Sequence, residues 1–296
     1  MDFKEELEKR VAYAEKVIYS YLPKEEGYQK KVIEAMNYSV KAGGKRLRPI
    51  LMWETYQLFG GTVRETIEPF MAAIEMIHTY SLVHDDLPAM DNDEYRRGKK
   101  TTHVVYGEAM GILAGDGLLN FAFETACRSF SHNTDGDTTV EALQVLTRKP
   151  GIYGMLGGQV IDVESVNQEI TMEKLEIIHK LKTSALIEAS MMIGAILAGA
   201  SEEEIKEIEF AARQIGLAFQ IQDDILDVTS TMEVLGKPIH SDEKNNKTTY
   251  VTLIGLSKAK EQVADYTKQA MDIIKKSGRK NEFLERLIIE LISRKK

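Results

Sequence analysis

Cysteine is nearly absent from this sequence: Cys127 stands alone among 296 residues. A single thiol excludes an internal disulfide, and the expected setting is a reducing cytoplasm. The ordinary expectation for Cys127 is a small, buried, apolar side chain. Proline is scarce, with six residues, which leaves room for long helices. Positive charge is in deficit: 38 lysines and arginines face 46 carboxylates, for a net charge of −8. That balance argues against a general nucleic-acid binder, and an anionic ligand would have to be held by local basic clusters. No window approaches the roughly 18 apolar residues of a membrane span. The longest candidate, 189–200, is too short and reads as a buried helix. The opening Met1-Asp2-Phe3-Lys4-Glu5-Glu6 is charged and lacks the apolar core of a signal peptide. Strand-like alternation, internal repeats and low-complexity tracts are missing as well.

What is present is helical patterning. Apolar residues make up 43% of the chain, enough for a sizeable core. Leu7, Val11, Ala14, Val17, Ile18 and Tyr21 share one face of a helix over 3–21, which Pro23 and Gly27 break. A second helix carries Val32, Ile33, Met36 and Val40. A third, 49–59, opens on Pro49, which suits a first turn. Thr62-Val63-Arg64-Glu65 fits a capping box ahead of a helix that runs to Asp86. Further helices are expected over 103–130, 173–199, 201–228 and 249–293, with Ser201-Glu202-Glu203-Glu204 as a second capping box. Gly115 and Gly117 lie inside one of these helices, where close helix–helix approach would repay the glycine. The polar stretch 131–139 reads as a loop within one domain spanning 1–296. The predicted fold is all-α, a single bundle of roughly ten helices around a central cavity.

The chemistry concentrates in two acidic stretches. His84-Asp85-Asp86-Leu87-Pro88-Ala89-Met90-Asp91 crowds three carboxylates and is followed by Arg96 and Arg97. Such crowding is unfavourable unless a cation neutralises it, and all-oxygen donors suit Mg²⁺ shared with substrate phosphates. The second stretch is Asp223-Asp224-Ile225-Leu226-Asp227. With Gln220 its aspartates fall at i, i+3, i+4 and i+7, a narrow acidic stripe flanked by apolar residues. A cation-filled cavity explains that stripe better than a solvent face, which would be wider and mix charge signs. Each set is expected to face the other across the cavity.

Other signals are weaker alone. Gly43-Gly44-Lys45-Arg46-Leu47-Arg48-Pro49 places cations at a helix start, where phosphates bind, although such a cluster is more often a solvated loop. Ile74, His78, Ser81 and Asp85 form one stripe, and a lone histidine there is commonly a core residue. Tyr80 lies about 7.5 Å below Asp85 along the axis, where it could floor a cavity or simply pack. Lys182-Thr183 sits in a largely apolar helix, where lysine snorkels unless paired. Lys237 and Lys247 bracket a polar loop.

The ordered set GGKRLRP, DDLPAMD with Arg96-Arg97, GMLGGQVID, Lys182-Thr183 and QIQDDILD resembles the trans-type isoprenyl diphosphate synthases over nearly the whole chain. The four-residue gap in DDLPAMD resembles the bacterial and plastid type, and Tyr80 points to the farnesyl diphosphate synthases within it. The resemblance implies an Mg²⁺-dependent prenyltransferase that condenses isopentenyl diphosphate with dimethylallyl and then geranyl diphosphate. It implies three Mg²⁺, with Mn²⁺ as a substitute. Asp85, Asp86 and Asp91 would hold two, and Asp223, helped by Asp224 and Asp227, the third. Lys45, Arg48, His78 and Arg97 would bind isopentenyl diphosphate. Arg96, Lys182, Thr183, Gln220, Lys237 and Lys247 would surround the allylic diphosphate and its cation, with Arg96, Lys182, Thr183 and Gln220 serving catalysis. Tyr80 and Ser81 would set chain length, and a homodimer is implied. Gly117, Lys149-Pro150, His240 and Asn246 depart from the usual pattern; the last two bear on the loop that carries Lys247. The same-class alternative is a geranylgeranyl or other short-chain synthase. A non-catalytic partner subunit would be expected to lose an aspartate set, and a terpene cyclase would not need GGKRLRP or Arg97.

Overall fold

The computed structural model describes residues 2–132, 135–229 and 248–293. Among these residues the regular structure is all-helical apart from one short hairpin. In chain order come α1 (Phe3–Ser20), α2 (Lys30–Val40), α3 (Leu47–Leu58) and α4 (Arg64–Asp85). The hairpin β1 (Tyr95–Arg96) and β2 (Lys99–Lys100) precedes α5 (Thr102–Tyr106), α6 (Glu108–Ala126) and a 3-10 turn, Cys127–Ser131. Then follow α7 (Gly136–Arg148), α8 (Met155–Glu164), α9 (Met172–Ile178), a π-helical turn His179–Ser184 and α10 (Ala185–Leu197). The chain ends with α11 (Glu202–Thr229), α12 (Tyr250–Ile254), α13 (Leu256–Lys276) and α14 (Glu282–Ser293). Among the described residues no helix is long and apolar enough to cross a membrane.

Two helices form the centre because they are apolar nearly all round. On α4, Ile67, Phe70, Met71, Ile74, Met76 and Ile77 are fully buried; on α10, Leu186, Ala189, Met191, Ile193 and Ala195 are. Helix α4 packs on α6, and α10 packs on α3 and α11. Gly115 and Gly117 do mark a close approach: a Cβ on Gly117 would meet the Met36 sulfur, and one on Gly115 the His84 ring. Several charges that enter this core are paired, as burial demands. Arg46 donates to Glu75 at 2.8 Å, and Glu54 accepts from Arg10 at 2.6 Å. Buried Glu188 receives both Lys149 and Arg213.

Several long helices expected from the pattern are divided. The 103–130 helix breaks at Gly107, whose φ of 89° suits glycine, and tightens at Cys127. The 249–293 helix breaks at Gly255, again at positive φ, and after Lys276. The 173–199 helix is interrupted by the π-turn that carries Lys182 and Thr183. The hairpin was not legible as strands because each is two residues long; Arg97 and Gly98 form its turn at φ 53° and 74°, the backbone of tight hairpins. The capping box expected at Thr62 is absent: Val63 caps α4 without a side-chain hydrogen bond. The one at Ser201 is present, with reciprocal bonds between Ser201 and Glu204. Cys127 is exposed, not buried, because it lies off the face that Ala122, Thr125, Ala126 and Ser129 bury.

Candidate active site

The end of α4 builds the first acidic group. Asp85 is its last residue, and the following loop folds back so that the Asp91 N–H donates to the Asp85 carbonyl at 2.9 Å. Asp86 is buried and held by Arg96 from the hairpin, through Nε at 2.7 Å and Nη2 at 2.6 Å. Gln159 on α8 donates to the Asp85 carboxylate at 2.9 Å. Burial pushes Asp85 up to about 6, and neighbouring Asp91 and Asp86 add to the rise against Lys182 and Arg96.

Across the cavity stand α11 and the π-turn. The four polar residues of the α11 stripe divide. Gln220 and Asp223 line the cavity. Asp224 and Asp227 are buried, with 4% and 5% of their surface exposed. Asp224 accepts the Tyr250 N–H at 3.0 Å and the Gln220 amide at 3.3 Å. Gln220 in turn accepts from Thr183 at 2.9 Å, so a chain of hydrogen bonds fixes the amide between cavity and core. Lys182 is paired with Asp162 of α8 at 2.6 Å instead of snorkelling. This pair requires α8 to lie against the π-turn, and a Cβ on Gly158 would strike the backbone there.

The basic side comes from the start of α3. Arg46 adopts φ 47° and turns inward to Glu75, Glu15, Tyr19 and the Val40 carbonyl. It is a structural anchor, and it leaves Lys45 and Arg48 on the cavity wall. Arg97 reaches back to the Gly43 carbonyl. The Arg48 Nε is sealed from solvent without a partner, an atom that awaits an acceptor. Burial lowers Arg48 to about 10, with Arg97 adding to it. His78 beside them is driven well below its usual value by burial first and then by Arg48 and Arg97, so it stays neutral.

A cavity of ≈ 920 Å³ thus brings together Lys45, Arg48, His78, Asp85, Asp91, Arg96, Arg97, Lys182, Thr183, Gln220 and Asp223. A second chamber of ≈ 390 Å³ shares Arg48, His78, Asp85, Lys182 and Thr183 with it. Its remaining walls are mostly apolar and include Tyr80, Ser81, Met90, Met155 and Leu156. Tyr80 is 8% exposed. Lys237 and Lys247 lie outside the described residues. Gln159, Asp162 and His84 also belong to the site. Gln159 and Asp162, spaced i, i+3 in GMLGGQVID, carried a signal that sequence reasoning did not turn into roles.

Among the described residues no three His, Cys, Asp or Glu side chains converge as a finished metal cage. The donors still suit a hard cation: they are oxygens, and Asp85 is a half-buried carboxylate that lacks full compensation. A divalent ion shared with a phosphate would complete it.

The comparisons agree with this geometry. The family model described as polyprenyl synthetase matches residues 29–291. A farnesyl diphosphate synthase from Geobacillus stearothermophilus is 43% identical, over 86% of this chain and 86% of its own. A chloroplastic geranylgeranyl pyrophosphate synthase from Capsicum annuum is 48% identical, over 80% of this chain and 64% of its own. A geranyltransferase structure from Helicobacter pylori, complexed with magnesium and isoprenyl diphosphate, superposes with a TM-score of 0.84 at 29% identity, covering 99% of this chain and 97% of that one. A cavity with acidic and basic walls, an apolar chamber leading from it and these likenesses have one explanation: the chain belongs to the polyprenyl synthetase family.

Proposed function

We propose that this protein makes farnesyl diphosphate by head-to-tail condensation of isopentenyl diphosphate with dimethylallyl and then geranyl diphosphate. The observation that carries the reading is the pairing of the two chambers. One is lined by charges of both signs and fits diphosphates; the other is apolar, fits a prenyl tail, and has Tyr80 in its wall.

Lys45, Arg48, His78 and Arg97 are the groups for isopentenyl diphosphate, and the unpartnered Arg48 Nε is the clearest of them. Arg96, Lys182, Thr183 and Gln220 surround the allylic diphosphate; Lys237 and Lys247, outside the described residues, are assigned to the same diphosphate from the sequence resemblance alone. Mg²⁺, three ions in this reading, would sit with Asp85, Asp86 and Asp91 on one side and with Asp223, backed by Asp224 and Asp227, on the other. Such ions supply positive charge to the departing diphosphate. The protein's own part is positional. Thr183 and Gln220 present oxygen dipoles next to the allylic carbon, and preorganised dipoles stabilise developing charge. The apolar chamber excludes water from the cation. The isopentenyl double bond then attacks, a carbon–carbon bond forms, and the proton lost passes to the released diphosphate. Tyr80 halts growth by filling the space of a longer tail, with Ser81 beside it.

A C20 product is the second reading, favoured by the likeness to the Capsicum enzyme. Helices α5 and α6 leave Val105, Ile112 and Leu113 at 45%, 47% and 49% exposure, an apolar face that a second copy of the chain would cover. Incubation with isopentenyl diphosphate, dimethylallyl diphosphate and Mg²⁺, followed by chromatography of the dephosphorylated products, tests the proposal. C15 is expected to dominate, and Tyr80→Ala to lengthen the product. A dominant C20 product in the parent enzyme would reject Tyr80 as the floor.

A further inference from the structure

The tail chamber has another wall residue, held from outside the diphosphate site. His84 lines the chamber together with Tyr80. Their rings meet edge to face, with centroids 5.9 Å apart and planes at 83°, a preferred aromatic arrangement. The His84 Nε2 lies 3.0 Å from the Ile112 carbonyl of α6. A carbonyl oxygen only accepts, so the ring carries its proton on Nε2 and donates. The Asp116 carboxylate is farther from the same nitrogen, at 3.8 Å. Under the ring lies Gly115, where a Cβ would overlap Nε2, Cδ2 and Cε1 together. The imidazole therefore rests on a ledge of bare backbone and is tied to it by one hydrogen bond.

We infer that His84 is a second chain-length determinant and that Gly115 sets how far its ring intrudes on the growing tail. The inference rests on the tail-chamber reading of the proposed function. With the ring seated on α6, the chamber keeps its observed width. A methyl group at residue 115 displaces the ring from α6, and the chamber and Tyr80 lie beside the ring it displaces. With the ring removed, the space beside Tyr80 opens.

The test is the product-length distribution of the purified full-length enzyme with isopentenyl and dimethylallyl diphosphate. A ratio of products is insensitive to the amount of folded protein and to a general loss of rate. His84→Ala is expected to raise the ratio of the next longer product to the main one by roughly tenfold, the scale on which pockets discriminate by size. Gly115→Ala is expected to shift the ratio the opposite way, toward C10. His84→Gln, which keeps a donor for Ile112, should fall between the parent and His84→Ala. Thermal melts identify any variant that does not fold, and the His84 and Gly115 arms stand independently. Unchanged ratios in folded His84→Ala and Gly115→Ala would overturn the inference. If Tyr80→Ala alone lengthens the product, the inference fails and the proposed function stands. If the parent makes mainly C20, the Tyr80 floor fails, and the His84→Ala ratio measured against C20 still decides the role of His84.

Discussion

Asp85 ends a helix, and Asp223 lies inside one. In the first stretch, α4 stops at Asp85 and the loop returns Asp91 to its carbonyl. The three carboxylates come from a helix end and a loop, and burial, with their crowding, lifts Asp85 to about 6. In the second stretch, α11 runs straight through, and its geometry sorts the aspartates by face. Asp223 looks into the cavity, while Asp224 faces packed neighbours and accepts the Tyr250 N–H. His179 stacks on Tyr250 with ring centroids 5.4 Å apart. The difference teaches that one spelling can serve two ends. The first group is poised for a ligand at the expense of the apo fold; the second is partly a ligand site and partly a brace between α11 and α12.

Substitution separates these roles. Asp85→Asn should lower kcat/KM by about 10³-fold, the scale for losing a preorganised electrostatic group, without lowering Tm. The folded, metal-free protein disfavours the Asp85 anion, so neutralising it removes a destabilising charge. A fall in Tm would break the comparison. Asp224→Asn should do the reverse in emphasis. An Asn carboxamide has one acceptor oxygen where the carboxylate has two, so the buried Tyr250 N–H and the Gln220 amide can no longer both be satisfied, at a cost of about 2 kcal/mol, read as a lower Tm before any assay.

Acidification sharpens the contrast, because the two regions respond with opposite signs. Burial holds His179 down to about 4 against a free value of 6.5. Below pH 6.5 the unfolded chain therefore binds a proton that the folded chain refuses, and stability falls by about 2 kcal/mol at pH 5. Asp85 acts the other way: its folded value of about 6 lies above the free value of 3.8, so its protonation favours the fold as pH drops from 6 toward 3.8. In metal-free protein, Asp85→Asn should steepen the loss of Tm between pH 6 and 4, and His179→Phe should flatten it. Parallel pH curves for both variants would refute the assignment. The smallest effect expected is that of Gln159→Leu, which deletes the hydrogen bond to Asp85. Metal affinity should weaken roughly tenfold, as for other residues behind a metal ligand, measured from the Mg²⁺ dependence of rate.

The sequence made the all-α class and the acidic positions legible for a simple reason. Helical periodicity is local, and so is the crowding of Asp85, Asp86 and Asp91. What it hid depends on partners distant along the chain. Arg46 sits among other cations, yet its partners Glu15 and Glu75 lie 31 and 29 residues away. Nothing near Lys182 shows that Asp162 would hold it. The π-turn carries no residue that marks it, and the hairpin is too short for alternation to register. Spacing puts Asp224 and Asp227 on a wet stripe because it assigns a face to a helix without saying what covers that face.

The closure of Asp91 onto Asp85 has a consequence for tolerance to change. The main chain, not any side chain, meters the distance between these two carboxylates, and the Leu87 carbonyl gathers the Met90 and Asn92 N–H groups inside the same turn. Replacement of Pro88 or Ala89, both exposed, leaves that ring of backbone bonds in register. Deleting either one removes a link from the ring, and the carboxylate beyond the gap lands elsewhere. Length is what this loop has to keep; its lettering is comparatively free.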